Sequence, residues 1–143
     1  LLNIGHPPSY NFYLLFLICL TYGEEYFRNL ETELLKELQT GRNCIISCGG
    51  GVALRSENVV EMKKNGKVVL LTASPETIYE RVKDSNDRPL LKENKSVEFI
   101  AQLMEKRKEK YEDAADVVIR TDGKTILQIC EELITRLMEL EEK

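Results

Sequence analysis

Several absences narrow this 143-residue chain before any motif is considered. Its four cysteines, Cys19, Cys44, Cys48 and Cys130, form neither a C-x-x-C nor any regular pairing, and His6 is the one histidine. A zinc site is thereby excluded, and so is a disulfide framework, which a domain of this size does not need. The thiols are expected to be buried, in a reducing compartment. A basic excess is lacking too: 20 basic residues stand against 24 acidic ones, for a formal net charge of −4 with both signs interspersed. That excludes a chain-wide basic surface for nucleic acid, so a small anionic ligand would be met by local arginines. No apolar run is long enough to span a bilayer. The longest runs from Phe12 to Leu20, against the roughly 20 residues a membrane helix needs. It has no Lys or Arg before it and Thr21 and Tyr22 after it, so it is not expected to be a secretory signal. Neither nucleic acid nor membrane is expected as a partner, and the expected location is the cytoplasm.

What is present is an alternation of helical and β-prone segments, with 43% apolar residues to form a core. Glu24 to Leu38 carries Phe27, Leu30, Leu34, Leu35 and Leu38 at helical spacing. Thr40, Gly41 and Arg42 break that pattern, and Cys44 to Cys48 gives a short buried strand ended by Gly49, Gly50 and Gly51. Ser56 to Lys64 suits a helix closed by Asn65 and Gly66; Lys67 to Ala73 is a continuous β-prone run, as expected when both faces of a sheet are covered. Ser74 then N-caps a helix with Pro75 in its first position. Residues 84–95 are polar and aperiodic and contain Pro89, so they form a loop and a candidate mobile lid. Ser96 restarts a helix that runs to about Asp113, with Val97, Ile100, Ala101, Met104 and Tyr111 as its apolar face. A strand from Asp116 to Thr121 and an amphipathic helix from Lys124 to about Glu141 complete the chain. This alternation predicts parallel βαβ units in an α/β sandwich of three layers, α/β/α.

In such a fold ligands bind beyond the carboxyl ends of the strands, where Gly49, Gly50 and Gly51 stand. Three residues without a β-carbon let backbone N–H groups approach a ligand, although a tight turn alone would also use them. Arg28, with Glu31 one turn along the same helix, Arg88 in the candidate lid and Arg107 four residues before Tyr111 supply guanidinium groups from separate elements. Such groups bind carboxylate and phosphate through paired hydrogen bonds; as solvated surface charges they would do nothing specific.

Taken together, Gly23 to Glu31, Gly49 to Gly51, Arg81, Arg88 to Leu91, Arg107 with Tyr111, and Ala115 with Asp116 are similar in order and spacing to the shikimate kinase family, over about Tyr22 to Glu142. The resemblance implies a P-loop kinase-like fold and transfer of the γ-phosphate of ATP to the 3-hydroxyl of shikimate, with Mg²⁺, in the route to chorismate and the aromatic amino acids, by a monomer. It implies that Arg28 and Arg107 hold the shikimate carboxylate, that Glu31 supports the site and that Phe27 walls it. Gly49, Gly50 and Gly51 would contact substrate hydroxyls, Arg88 would reach the nucleotide phosphates as the catalytic residue of the lid, and Arg81 would pack against adenine. A gluconate kinase fits Phe27, Arg28, Glu31 and Arg88 to Leu91 less well.

The family also begins with G-x-x-x-x-G-K-[ST], which cradles phosphate and reaches Mg²⁺, and no such match precedes Gly23. Its Asp-x-Asp is absent as well, since residues 1–22 contain no aspartate. Gly123, Lys124 and Thr125 are no substitute, because the first glycine would fall at Val118. An N-terminally truncated member is therefore expected, with an atypical segment over 1–21 and a kinase-like domain over 22–143. It would lack the first strands, the catalytic Lys and Asp, and the metal ligands. Phosphoryl transfer depends on positioning and charge neutralisation, so a rival reading is a shikimate-binding module without turnover. The run from Phe12 to Leu20 is expected either to cover the exposed core, as strand or helix, or to be an unrelated, loosely attached sequence.

Overall fold

The computed structural model describes residues 21–41, 44–83 and 96–142. These fall into two units, one ending at Gly66 and the other beginning at Lys67. The run from Phe12 to Leu20 lies outside the described residues.

In the first unit, helix α1 (Glu24–Leu38) starts from Gly23, whose φ of 85° lies in the left-handed region that glycine enters without a Cβ penalty. Glu24 and Glu25 in its first turn and Lys36 in its last complement the helix dipole. The covered face of α1 matches the apolar face read from the sequence only in part, at Leu35 and the half-buried Phe27 and Leu38. Thr32 and Leu35 are buried, whereas Leu30 and Leu34 are each 41% exposed. The stripe turned inward is Arg28, Glu31, Thr32 and Leu35, because Thr32 finds a buried polar partner in Asn58. A 3₁₀ turn at Val52–Leu54 and helix α2 (Ser56–Asn65) pack against α1.

The strand expected over Cys44 to Cys48 is not formed. A strand is held by ladder hydrogen bonds to a neighbour, and among the described residues none of the ladder pairs includes 44–48. Ile45 is consequently fully exposed. The expectation of buried thiols fails with it: Cys44 and Cys48 are exposed, as is Cys130 farther on.

The second unit is α/β with parallel pairing, as expected. Strand β1 (Val69–Thr72) pairs with β2 (Val117–Arg120) in parallel, from Val69 opposite Val117 to Thr72 opposite Arg120. Parallel neighbours need a long crossover, here containing α3 (Pro75–Val82) and α4 (Val97–Ala114). Ser74 caps α3 by accepting from Thr77 N, and Ser96 caps α4 by accepting from Phe99 N at 3.1 Å. Val82 and Ile100, with Ile78, Tyr79, Phe99 and Met104, form the core where α3 meets α4. Helix α5 (Ile126–Glu141) opens with a reciprocal capping box between Thr125 and Gln128 and packs on β2, whose Val117 and Ile119 are buried. Both ends of the strand pair are tied by carboxylates. Asp116 Oδ2 accepts from Val68 N at 2.7 Å, and Asp122 Oδ1 accepts from Ser74 N at 2.8 Å.

Candidate functional site

The first unit brings four of the expected substrate residues together, Phe27, Arg28, Glu31 and Gly51. Arg28 Nη1 donates to Glu31 Oε2 at 2.6 Å and Nη2 to Glu24 Oε1 at 3.2 Å. Burial works against the charge of Arg28, but Glu31 and then Glu24 outweigh it and hold the guanidinium above its ordinary pKa. The guanidinium carbon lies 5.2 Å from the centroid of Phe27, a cation–π distance. Gly51 also lies close to it: a β-carbon there would come within 2.3 Å of Arg28 Nη1. Gly51 has an ordinary φ of −83°, so what favours glycine there is the room it leaves for Arg28 and not backbone strain. Gly49 has nothing within 4 Å of its own β-carbon position. Carbonyls of Gly49 and Gly51 accept from Val52 N and Leu54 N at 3.1 and 3.2 Å, winding the glycine run into the 3₁₀ turn.

In the second unit, Arg107 Nη1 donates to Tyr111 Oη at 3.2 Å. Both line a shallow, mainly apolar groove of about 140 Å³ with Ile78, Ile100, Leu103 and Met104. Arg81 lies in the last turn of α3, the helix after β1, and its two terminal nitrogens donate to Thr121 Oγ1 at 3.1 Å and Thr121 O at 3.4 Å. Arg88 and the rest of the lid over 84–95 lie outside the described residues. Among the described residues no group of three or more His, Cys, Asp or Glu side chains could hold a metal ion, so Mg²⁺ is not assigned to any of them.

Sequence reasoning missed the residues that hold these groups in place. Asn58 and Thr32 are 0% and 3% exposed; Thr32 Oγ1 lies 2.7 Å from Asn58 Oδ1, and Asn58 Nδ2 donates to Val52 O at 3.0 Å. Arg55 reaches across to α1, with Nη2 2.5 Å from Glu25 Oε1 and Nη1 2.8 Å from Asn29 Oδ1. Thr121, which receives Arg81, itself donates to Thr72 O at 2.9 Å. The available signal for Thr32 was its spacing three residues before Leu35, which puts a hydroxyl on a helix face that must be covered. Asn58 gave none, because an Asn in the first turn of a helix is ordinarily a solvated residue.

The first unit holds a glycine turn packed on an arginine, and the second, an α/β unit, holds Arg81 against Thr121 just past the end of β2; each feature suits a small anionic ligand. Comparison with known proteins makes this specific. The family model for shikimate kinase matches residues 17–138, and the chain belongs to the shikimate kinase family, a family of phosphotransferases. It is 43% identical over 115 residues to the shikimate kinase of Persephonella marina, covering 80% of this chain and 68% of that protein. To the shikimate kinase of Dehalococcoides mccartyi it is 37% identical over 119 residues, covering 83% of this chain and 67% of that protein. Among solved structures, shikimate kinase from Acinetobacter baumannii in complex with shikimate matches with a TM-score of 0.78 and 25% identity, over 89% of this chain and 71% of that one. Shikimate kinase from Aquifex aeolicus matches with a TM-score of 0.70 and 35% identity, over 87% of this chain and 71% of that one. No helix among the described residues is long and apolar enough to cross a membrane.

Proposed function

We propose that this chain serves the ATP-dependent phosphorylation of the shikimate 3-hydroxyl, in the route to chorismate and the aromatic amino acids. The observation that carries the proposal is the Arg28 guanidinium, oriented by Glu31 and laid against Gly51, in a member of this family. Arg28 spends one terminal N–H on the half-buried Glu31 and another on Glu24, which is 76% exposed. An exposed ion pair is worth little, so a substrate carboxylate can displace Glu24 while Glu31 keeps the fork aimed. Arg107 is a second proposed carboxylate ligand, Phe27 an apolar wall, and Gly49, Gly50 and Gly51 the contacts to substrate hydroxyls. Arg81, fixed by Thr121, presents a planar cation suited to stacking on adenine, and Arg88 is the proposed phosphate-contacting, catalytic residue of the lid.

Such a set acts by positioning: holding the acceptor hydroxyl and the transferring phosphate in line supplies a large part of the acceleration in phosphoryl transfer. The relatives matched are kinases, which favours this reading over a binding module without turnover. ATP and Mg²⁺ are proposed as co-substrate and ion, and a cytoplasmic monomer as the working form. Phosphorus NMR of the protein with shikimate and Mg-ATP tests the proposal. A new phosphomonoester resonance that requires shikimate is expected. Its absence, together with no heat on titrating shikimate, would overturn the assignment.

A further inference from the structure

Among the described residues of the first unit, Asn58 is the most completely buried polar side chain, and its amide bonds Thr32 and Val52 and not a proposed ligand group. Its amide nevertheless has one bond to each side of the site. Asn58 Oδ1 accepts from Thr32 Oγ1, in the turn of α1 that follows Arg28 and Glu31. Its Nδ2 donates to the carbonyl of Val52, the residue directly after Gly51. The Arg28 carbonyl at 3.1 Å and Glu57 Oε1 at 3.3 Å also lie near Thr32 Oγ1, but its single proton serves one acceptor at a time, and Asn58 Oδ1 at 2.7 Å is the nearest. The Arg28 guanidinium lies against Gly51, since a β-carbon built there would come within 2.3 Å of Nη1. A change in the spacing of α1 and the glycine turn would therefore alter that contact.

We propose that Thr32 and Asn58 are positioning residues that set the distance between the Arg28 guanidinium and the Gly51 turn, and thereby the affinity for the carboxylate of the substrate. The spacing also accounts for the donor and acceptor roles. Asn58 Nδ2 can only donate, which suits the Val52 carbonyl, leaving Oδ1 to receive the single proton of Thr32. Asp at 58 would lose the donor, and Val at 32 would leave Oδ1 buried without its partner.

The inference rests on the shikimate-binding reading, so its test has one readout that needs shikimate and one that does not. Calorimetric titration of shikimate into the full chain is compared for the parent, Asn58→Ala, Thr32→Val and Thr32→Ser, each also in an Arg28→Lys background. Binding about tenfold weaker is expected for Asn58→Ala and Thr32→Val, with Thr32→Ser within about twofold of the parent. In the Arg28→Lys background the effect of Asn58→Ala should largely vanish, because it acts through Arg28. Equal binding by the parent and Thr32→Val, or a full Asn58→Ala effect in the Arg28→Lys background, would overturn the inference while leaving the site reading intact. If the parent binds no shikimate, the site reading fails, and the inference is judged on the ligand-free protein. The Arg28 Nε–H resonance should then still shift in Thr32→Val and return in Thr32→Ser. Its failure to move would overturn the positioning role. Thr32→Val removes only a hydroxyl, so the comparison survives if Asn58→Ala does not fold.

Discussion

At the scale of single residues, Gly49 and Gly51 are chemically identical and physically unlike. A methyl group on Gly51 would meet three atoms of the Arg28 guanidinium at 2.3 to 2.8 Å, whereas one on Gly49 would meet nothing within 4 Å. The atoms met at Gly51 belong to the far end of a flexible side chain, and its φ is one that any residue adopts. Gly51→Ala should therefore move Arg28 aside without unfolding the protein. We expect the thermal midpoint of Gly51→Ala to stay within a few degrees of the parent while its affinity for shikimate falls about tenfold, the loss of roughly one charge-assisted hydrogen bond. Gly49→Ala should leave affinity within about threefold. Paired melting curves and titrations check both. The three glycines were legible in the sequence as a ligand turn; which of them the ligand site depends on sterically was not, because that depends on where a guanidinium from another helix comes to rest.

At the scale of elements, the sequence yielded most where capping chemistry is local. Ser74 with Pro75, and Ser96, mark the starts of α3 and α4 as the side chains themselves indicate. It yielded least at Cys44 to Cys48, where an apolar composition suggested a strand but strand formation is decided by a partner elsewhere in the chain. The ends of the β1 and β2 pair show a further device that spacing does not reveal, the carboxylates of Asp116 and Asp122 accepting backbone N–H groups from the neighbouring segment. The bond from the Ser74 N–H, then the Thr77 hydroxyl and Arg120, hold the Asp122 carboxyl well below the usual carboxylate range. A depressed folded-state pKa means that the folded protein binds its proton later than the unfolded chain does. The stabilisation is thus complete above the unfolded value of about 4 and drains away as the pH falls below it. Asp122→Asn, which cannot titrate, should be less stable than the parent at neutral pH, and the gap should narrow steadily as the pH is lowered from about 4 toward 2. Thermal midpoints of the two proteins across that range measure it, and a gap that stays constant would mean that Asp122 does not titrate with folding.

At the scale of the whole molecule, the proposed carboxylate ligands belong to different units, Arg28 to the one ending at Gly66 and Arg107 to the one starting at Lys67. Ordered spacing made both arginines legible, but a sequence does not say whether one ligand uses both. Linkage does. A ligand that binds only the folded protein stabilises it by RT ln(1 + [L]/Kd), about 2.7 kcal/mol at one hundred times Kd. Shikimate at that excess should raise the thermal midpoint of the parent by several degrees for a protein of this size. Should the carboxylate need both guanidinium groups, Arg28→Ala and Arg107→Ala would each abolish most of the shift at the same shikimate concentration, and the double variant would lose little more than either alone. Additive losses would instead assign the two arginines to independent contacts, and a shift that survives Arg107→Ala would place the carboxylate on the first unit alone. Arg107 has Tyr111 as a hydrogen-bond partner within its own helix, so Tyr111→Phe serves as the control for disturbance of that groove. A large loss of shift in Tyr111→Phe would show that the phenol helps to orient Arg107 for the ligand; an unchanged shift would show that the arginine is held well enough by the apolar groove itself.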